Sequence, residues 1–159
     1  MTIFFGYDKK KVIQALRYHF ISRPEIRIMI ILVNVLAILL FILYLLKYLK
    51  PANYLTFSLL WVVLMLCFWF LFPYSVYTKT IMFKHEYGMT FTDEKFSLDH
   101  ESRSKFWEWK SLKNYLESPH FFHLYFDAKT FLLVPKDGCK DSDEVHQLRQ
   151  LIQAHVKKG

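Results

Sequence analysis

Glycine is nearly missing from this chain, with four residues in 159 at positions 6, 88, 138 and 159. That scarcity removes two large classes of chemistry. No G-x-S-x-G elbow exists to present a serine nucleophile, and no glycine-rich loop exists to cradle a phosphate. Cysteine is almost as rare, and Cys67 and Cys139 make no disulfide framework. One lies within an apolar run and the other in a loop near the C-terminus, so both are expected as unpaired, reduced thiols. Seven histidines are present, yet none has ligand spacing. His120 and His123 enter a strand three apart and face opposite sides, and neighbouring His100 and Glu101 diverge on theirs. The carboxylates Asp93, Glu94, Asp99, Glu101, Glu108 and Glu117 are scattered over turns and solvent faces. No pair of them lies in an apolar setting that shifts a pKa. The residues thus offer no catalytic set, no metal site and no cofactor site, and a non-enzymatic protein is expected.

Charge is absent where it matters most. Ile28–Leu46 and Tyr54–Phe72 are two runs of nineteen residues without a single charged residue, separated by seven residues. At ~1.5 Å of rise per residue each covers about 28 Å of helix, close to the ~30 Å hydrocarbon core of a bilayer. A transmembrane helical hairpin over residues 28–73 is the expected result, turning at Lys47–Asn53. The first run begins only after a polar arm, so it is expected to stay as an anchor rather than act as a cleavable signal. Asn34 is the one strongly polar side chain of the first span, placed near Leu66 and Cys67 of an antiparallel neighbour. It is the candidate interhelical polar contact, worth ~0.6 to 2 kcal/mol. A transport path needs more polar groups than Asn34, Thr56, Ser58 and Cys67. Trp61, Trp69, Tyr44, Tyr48, Tyr54 and Tyr74 supply an aromatic girdle for the two interfaces.

The formal charge of +7 is distributed unevenly. Residues 1–27 carry Lys9, Lys10, Lys11, Arg17, Arg23 and Arg27 against Asp8 and Glu25, whereas the chain from Pro73 onward carries thirteen basic and twelve acidic residues. A nearly neutral C-terminal region is a poor footprint for nucleic acid, which is excluded as a partner. The basic arm suits anionic lipid headgroups, with Lys9, Lys10, Lys11, Arg17 and Arg23 as candidate contacts at ~1 kcal/mol each. Six basic residues before the first span, with Lys79 and Lys84 after the second, outnumber Lys47 and Lys50 in the turn. The positive-inside rule therefore places both termini in the cytoplasm.

Within the arm, Asp8 predicts a helix cap, followed by a helix from Lys9 to about Phe20 with Val12, Leu16 and Phe20 along one face. That face suits either a membrane surface or a protein neighbour. Pro24 predicts the start of the next helix. After Pro73 short alternating runs predict strands at Met82–Phe91, Lys95–Glu101, Lys105–Trp109, Leu112–Glu117, Phe121–Phe126 and Thr130–Val134. Turns are expected at Thr92–Glu94, Ser102–Ser104, Ser118–His120, Asp127–Lys129 and Pro135–Gly138. From Asp141 the period becomes helical, with Asp141 and Glu144 spaced as a capping box and Val145, Leu148, Leu151, Ile152 and Val156 on one face.

Several segments carry a family resemblance. Phe106-Trp107-Glu108-Trp109-Lys110-Ser111-Leu112, then Phe121-Phe122-His123-Leu124-Tyr125 and Leu133-Val134-Pro135-Lys136, resemble the YcxB-like family of small bacterial membrane proteins. Arg17-Tyr18-His19-Phe20 and Ser22-Arg23-Pro24 resemble what precedes the first span there. The resemblance implies a membrane α+β protein in three parts: a cytoplasmic arm (1–27), a transmembrane hairpin (28–73) and a C-terminal domain (74–159). That domain would be similar to pleckstrin-homology-like domains, an antiparallel sheet closed by a C-terminal helix. It also implies a multi-pass protein of the bacterial cytoplasmic (inner) membrane and supplies no catalytic residue. The predicted strands are one short of the pleckstrin-like number. Either the first run splits or Ile3–Tyr7 contributes.

The expected function is a tethered interaction domain for an unidentified protein partner. Recognition would use an open sheet edge or the surface around Lys105, Trp107, Trp109, Lys110 and Lys113, although paired tryptophans more often build a core. The alternatives are a small membrane enzyme or regulatory subunit completed by a partner, and an oligomeric channel or transporter component.

Overall fold

The computed structural model describes residues 1–100, 103–128 and 130–159, which form two compact units: Met1–Ala15 with Thr80–Gly159, and Leu16–Lys79. The predicted strand end at Glu101, the turn residues Ser102 and Lys129, and the carboxylate of Glu101 lie outside the described residues.

The first unit is built on a four-stranded antiparallel sheet in the order β1-β2-β3-β4 and a three-stranded one in the order β5-β6-β7. β1 (Thr2–Phe5) joins the first sheet, pairing Thr2 with Thr90 and Phe5 with Tyr87 of β2 (Tyr87–Phe91). Strand alternation explains its fit, since Ile3 and Phe5 are buried while Thr2 and Phe4 face out. The missing strand is thus Ile3 and its neighbours. β3 (Lys95–His100) and β4 (Arg103–Glu108) continue the sheet, with Phe96 opposite Trp107 and His100 opposite Arg103. β5 (Asn114–Glu117), β6 (Phe121–Tyr125) and β7 (Phe131–Pro135) form the second sheet. Phe91, Phe96, Trp109, Phe122, Leu124, Val134, Leu148 and Ile152 are among the side chains of the shared core.

Several predicted boundaries change: β5 starts at Asn114 rather than Leu112, and β6 and β7 shift by one residue. Met82 to Glu86 are not strand, because Ile81–Lys84 forms a 3-10 turn that buries Phe83 and β2 starts only at Tyr87. Arg103 and Ser104 are not turn but the first residues of β4, and Trp109 leaves the strand to open a 3-10 turn over Trp109–Ser111. Alternation cannot locate such breaks, because an aromatic residue suits a buried turn as well as a strand.

An α-helix that follows β7, here numbered α5 (Ser142–His155), starts where its chemistry predicts. Asp141 Oδ1 accepts from Glu144 N–H at 2.8 Å, and Glu144 Oε2 accepts from Lys140 N–H at 2.7 Å, one residue before the usual reciprocal donor. Leu148, Ile152 and Val156 are buried. Beyond the helix the chain runs beside β5, where Tyr115 N–H donates to Lys157 C=O and Gly159 N–H to Tyr115 C=O.

The helix α1 (Lys9–Ser22) begins at the Asp8 cap, whose Oδ1 accepts from Lys11 N–H at 3.0 Å. Val12, Ala15 and Leu16 are buried, the mark of a face covered by protein rather than laid on lipid. α2 (Pro24–Leu45) opens with its proline in the first turn, where the missing N–H costs nothing. Leu46–Lys50 turns the chain, and α3 (Pro51–Leu66) starts three residues before the predicted second span. Lys47 holds φ at 61°, the left-handed conformation that closes a helix C-terminus and that glycine usually supplies. Tyr48 N–H to Leu43 C=O and Lys47 N–H to Tyr44 C=O complete that closure.

The second span does not end at Phe72. Helix continues through a π-helical turn at Cys67–Leu71 into α4 (Phe72–Lys79). Pro73 sits inside this stretch without an N–H to offer Trp69 C=O four residues back. Arg17 Nε–H donates to that carbonyl at 3.1 Å, and its guanidinium lies 5.1 Å from the Trp69 ring and 5.4 Å from that of Phe70. A side chain outside the span thus replaces the bond that proline cannot make. Pro24–Leu45 and Pro51–Lys79 are each long and apolar enough to cross a membrane.

Candidate functional site

β4 is the end strand of its sheet, and its pairing decides which groups it offers. Thr92 N–H donates to Lys95 C=O at 2.9 Å, which directs the backbone of Lys95 toward β2. Antiparallel alternation then turns Ser97 and Asp99 the same way and turns Phe96, Leu98 and His100 toward β4. Their partners Trp107, Lys105 and Arg103 are occupied. Ser104 and Phe106 are left with N–H and C=O groups pointing away from the sheet, and Glu108 with its N–H, since its C=O already accepts from Ser111 Oγ at 2.7 Å.

The side chains follow the same division. Trp107 is half-buried against Phe96 and Phe126, each ring 5.6 Å away, and Lys105 Nζ lies 5.2 Å above its indole. Phe106, on the opposite face, is 68% exposed, with Lys95 Nζ 5.6 Å from its ring. An open depression of about 1060 Å³ follows this edge, lined by Glu94, Lys95, Phe106, Trp107, Glu108, Lys110 and Ser111. Lys110 pairs with Glu108, which holds the ammonium pKa above its ordinary value.

Of the predicted surface residues, Lys105, Trp107 and Lys110 gather here. Trp109 does not: it is 3% exposed, donates Nε1–H to Thr92 C=O at 2.8 Å and packs on Phe96 and His155. It opens the 3-10 turn and packs into the core on the side that Trp107 also faces. Lys113 is exposed but does not line the depression. Phe106, Lys95, Glu94 and Ser111 escaped the sequence reading. Phe106 was within reach of it, because a strand that turns Trp107 inward must turn Phe106 outward.

The basic arm residues separate into different settings. Lys9 and Lys10 are exposed, whereas Lys11 pairs with Asp137, a contact that raises its pKa. Arg17 holds the Trp69 carbonyl, and Arg23 lies 3.8 Å from Glu25. Asn34 Nδ2–H donates to Ile30 C=O of its own helix at 2.8 Å, so this bond is not interhelical. The shorter turn places Asn34 in a groove of about 540 Å³ shared with Ser58, Trp61 and Leu64, about a turn earlier than Leu66 and Cys67. Trp61 lies about 15 Å along α3 from Pro51, too deep for the interfacial girdle.

Two polar clusters complete the inventory of the first unit. Glu117 accepts from Arg149 Nε and Nη2 and from Lys136 Nζ at 2.7 Å. The Arg149 bonds lead in lowering the Glu117 pKa to about 2, with Lys136 adding to them against the cost of burial. Both cations also lie over the Phe122 ring, at 5.0 and 5.9 Å. Ser118 Oγ and His123 Nε2 are 3.0 Å apart, a contact reminiscent of a nucleophile and its base. Both residues are buried, and Ser118 Oγ also donates to Phe121 C=O, so the pair ties the β5–β6 turn to the core. Among the described residues no group of three or more His, Cys, Asp or Glu side chains is gathered as a metal-ligand set.

Residues 91–152, from the last residue of β2 into α5, match the family model described as YcxB-like protein. The resemblance read from the Phe106–Leu112, Phe121–Tyr125 and Leu133–Lys136 segments therefore holds over this part of the chain. No match is found among curated proteins or among solved structures.

Proposed function

We propose that this chain is a non-enzymatic integral membrane protein that holds a pleckstrin-homology-like interaction domain at the cytoplasmic surface of the bacterial inner membrane. The observation that carries the reading is β4, a strand at the end of a sheet whose outward backbone and neighbouring Phe106 stand open beside a broad depression. Such an edge suits recognition of an extended segment, with backbone bonds supplying affinity and side chains selecting the partner. Tethering supports the reading further, because two-dimensional confinement raises effective concentration without demanding high intrinsic affinity. Neither α2 nor α3 has a buried residue, which suits helices whose cover is lipid. Four antiparallel strands, then three, then a helix, suit the pleckstrin-like outline.

The orientation rests on the positive-inside rule: the basic arm together with Lys79 and Lys84 favours both termini in the cytoplasm and the Leu46–Lys50 turn outside. Lys9 and Lys10 then meet anionic headgroups. Carbonate washing of native membranes, followed by protease treatment of sealed right-side-out vesicles, tests the reading. Retention in the pellet with the C-terminal domain protected is expected; release by carbonate, or digestion of the domain from outside, refutes it.

A further inference from the structure

The open edge of β4 is complementary to itself, and the geometry leads us to propose that its occupant is a second copy of this chain. The inference rests on the reading of β4 as a recognition edge. Only Ser104 and Phe106 direct both a backbone donor and an open acceptor outward, and Glu108 adds its N–H, so an antiparallel partner strand must pair within that set. Three two-fold registers pair at least two of these residues in each copy over the described strand. Placing Ser104 opposite Phe106 of the second copy sets Lys105 against its own symmetry mate in a close, non-hydrogen-bonded pair, where like charges repel. Placing Phe106 opposite Glu108 of the second copy shortens the overlap and leaves Ser104 unpaired. The remaining register sets Phe106 across from itself and Ser104 across from Glu108.

This last register pairs N–H and C=O of Phe106 with those of its symmetry mate and Glu108 N–H with the facing Ser104 C=O. The two exposed Phe106 rings meet on the axis as an aromatic cross-strand pair. On the opposite face, Lys105 comes beside Trp107 of the second copy, repeating across the interface the ammonium-over-indole contact each chain already makes at 5.2 Å. Ser104 can donate its hydroxyl to the facing Glu108 carboxylate. No like charges stand directly opposite.

Edge strands are commonly protected by lysine and arginine against such pairing. Here Arg103 and Lys105 have their backbone groups turned toward β3, and the outward positions carry Ser104, Phe106 and Glu108. A symmetric contact of this kind closes as a dimer rather than propagating, since the two-fold axis consumes the edge of both copies. It joins two four-stranded sheets into one.

The test is cross-linking of the full chain in isolated, freeze-thawed membranes, in a Cys67→Ala, Cys139→Ala background. Phe106→Cys brings two thiols together on the axis at Cα separations of about 5.5 Å, within disulfide reach. Ser104→Cys or Glu108→Cys alone leaves about 14 Å between symmetry mates, given ~3.4 Å per residue. Mild oxidation should give a dimer from Phe106→Cys at least about fivefold stronger than from either of those alone, in keeping with that reach. Coexpressing the Ser104→Cys and Glu108→Cys chains should restore the dimer, and adding Phe106→Pro to both should abolish it, because proline removes an outward N–H without touching a bond to β3. Equal yields at all three positions, no dimer at Phe106→Cys, or an adduct with a different protein would overturn the proposal. Carbonate extraction of the same membranes separates the two readings: a released protein defeats the membrane tether, whereas a retained protein without the axial dimer defeats only the self-pairing.

Discussion

β4 and β5 each end a sheet, yet the chain treats their free sides in opposite ways. Tyr115 of β5 already exchanges backbone bonds with Lys157 and Gly159, so the residues after α5 cover that edge. The end of β5 is held a second time by Glu117, which bonds Lys136 beside β7 and Arg149 on α5. At the other end of the first sheet, the turn Lys136–Gly138 comes so near β1 that a Cβ on Gly138 would lie 3.1 Å from that of Phe5. β4 alone among these three edges has neither a tail nor a turn laid along it in the described residues. An edge closed by local chain is spent on stability, and an edge left open beside exposed aromatic surface is available for recognition.

That contrast can be broken most severely at Trp109, which fixes the end of β4 to the core. Trp109→Ala should cost about 3 to 5 kcal/mol of stability, whereas Trp107→Ala, which is half-buried, should cost clearly less. Thermal unfolding of the chain in lipid nanodiscs, followed by the far-ultraviolet β signal, measures both. Equal losses would mean that β4 is held along its length rather than at one end.

The clamp on β5 comes next. Glu117→Gln should cost about 1.5 to 3 kcal/mol, the usual worth of hydrogen bonds to a charged group. The pH dependence has a definite sign: because the native carboxyl is depressed from 4.5 to about 2, its contribution is complete above about pH 4.5 and is lost as pH falls through about 2. The variant should therefore show a flatter decline over that acid window in denaturation midpoints. His19 acts in a separate window, since burial, aided by Arg23, lowers its pKa from 6.5 to about 4. Its contribution is complete above 6.5 and fades as pH falls toward 4.

Removal of residues 157–159 sharpens the comparison by making β5 resemble β4. Two backbone bonds disappear, at about 1 kcal/mol each, and the amide of Tyr115 should exchange hydrogen much faster while the amides of β6 do not change. Unchanged protection at Tyr115 would show that the tail does not close this edge. The smallest effect belongs to Phe106→Ser. With the ring exposed, stability should shift by less than about 0.5 kcal/mol, so a large loss in the melting experiment would show that Phe106 supports the fold itself.

Much of this architecture was legible from local chemistry. Asp8 and Asp141 cap the helices they were expected to cap, Pro24 opens α2, and the apolar face of α5 is buried at Leu148, Ile152 and Val156. Each depends on neighbours within a turn or two of helix. The candidate surface was legible in part: Lys105, Trp107 and Lys110 line one depression, Phe106 beside them went unnamed, and Trp109 took the core position that paired tryptophans more often take. Trp107 and Trp109 both pack on Phe96, as residues two apart on one strand face do, and Trp109 lies deeper.

The amino-acid sequence by itself determined two uncharged runs able to span a bilayer, a basic arm before them, and an α+β remainder closed by an amphipathic helix. Those outcomes are set by composition and periodicity, which act over short stretches. Tertiary structure decided that Thr2–Phe5 completes a sheet whose other strands begin at Tyr87, that Arg17 serves the carbonyl Pro73 leaves open, and that β4 rather than β5 keeps a free edge. Each of these joins groups distant along the chain, and their partners are selected by which backbone groups remain unsatisfied after local structure has formed.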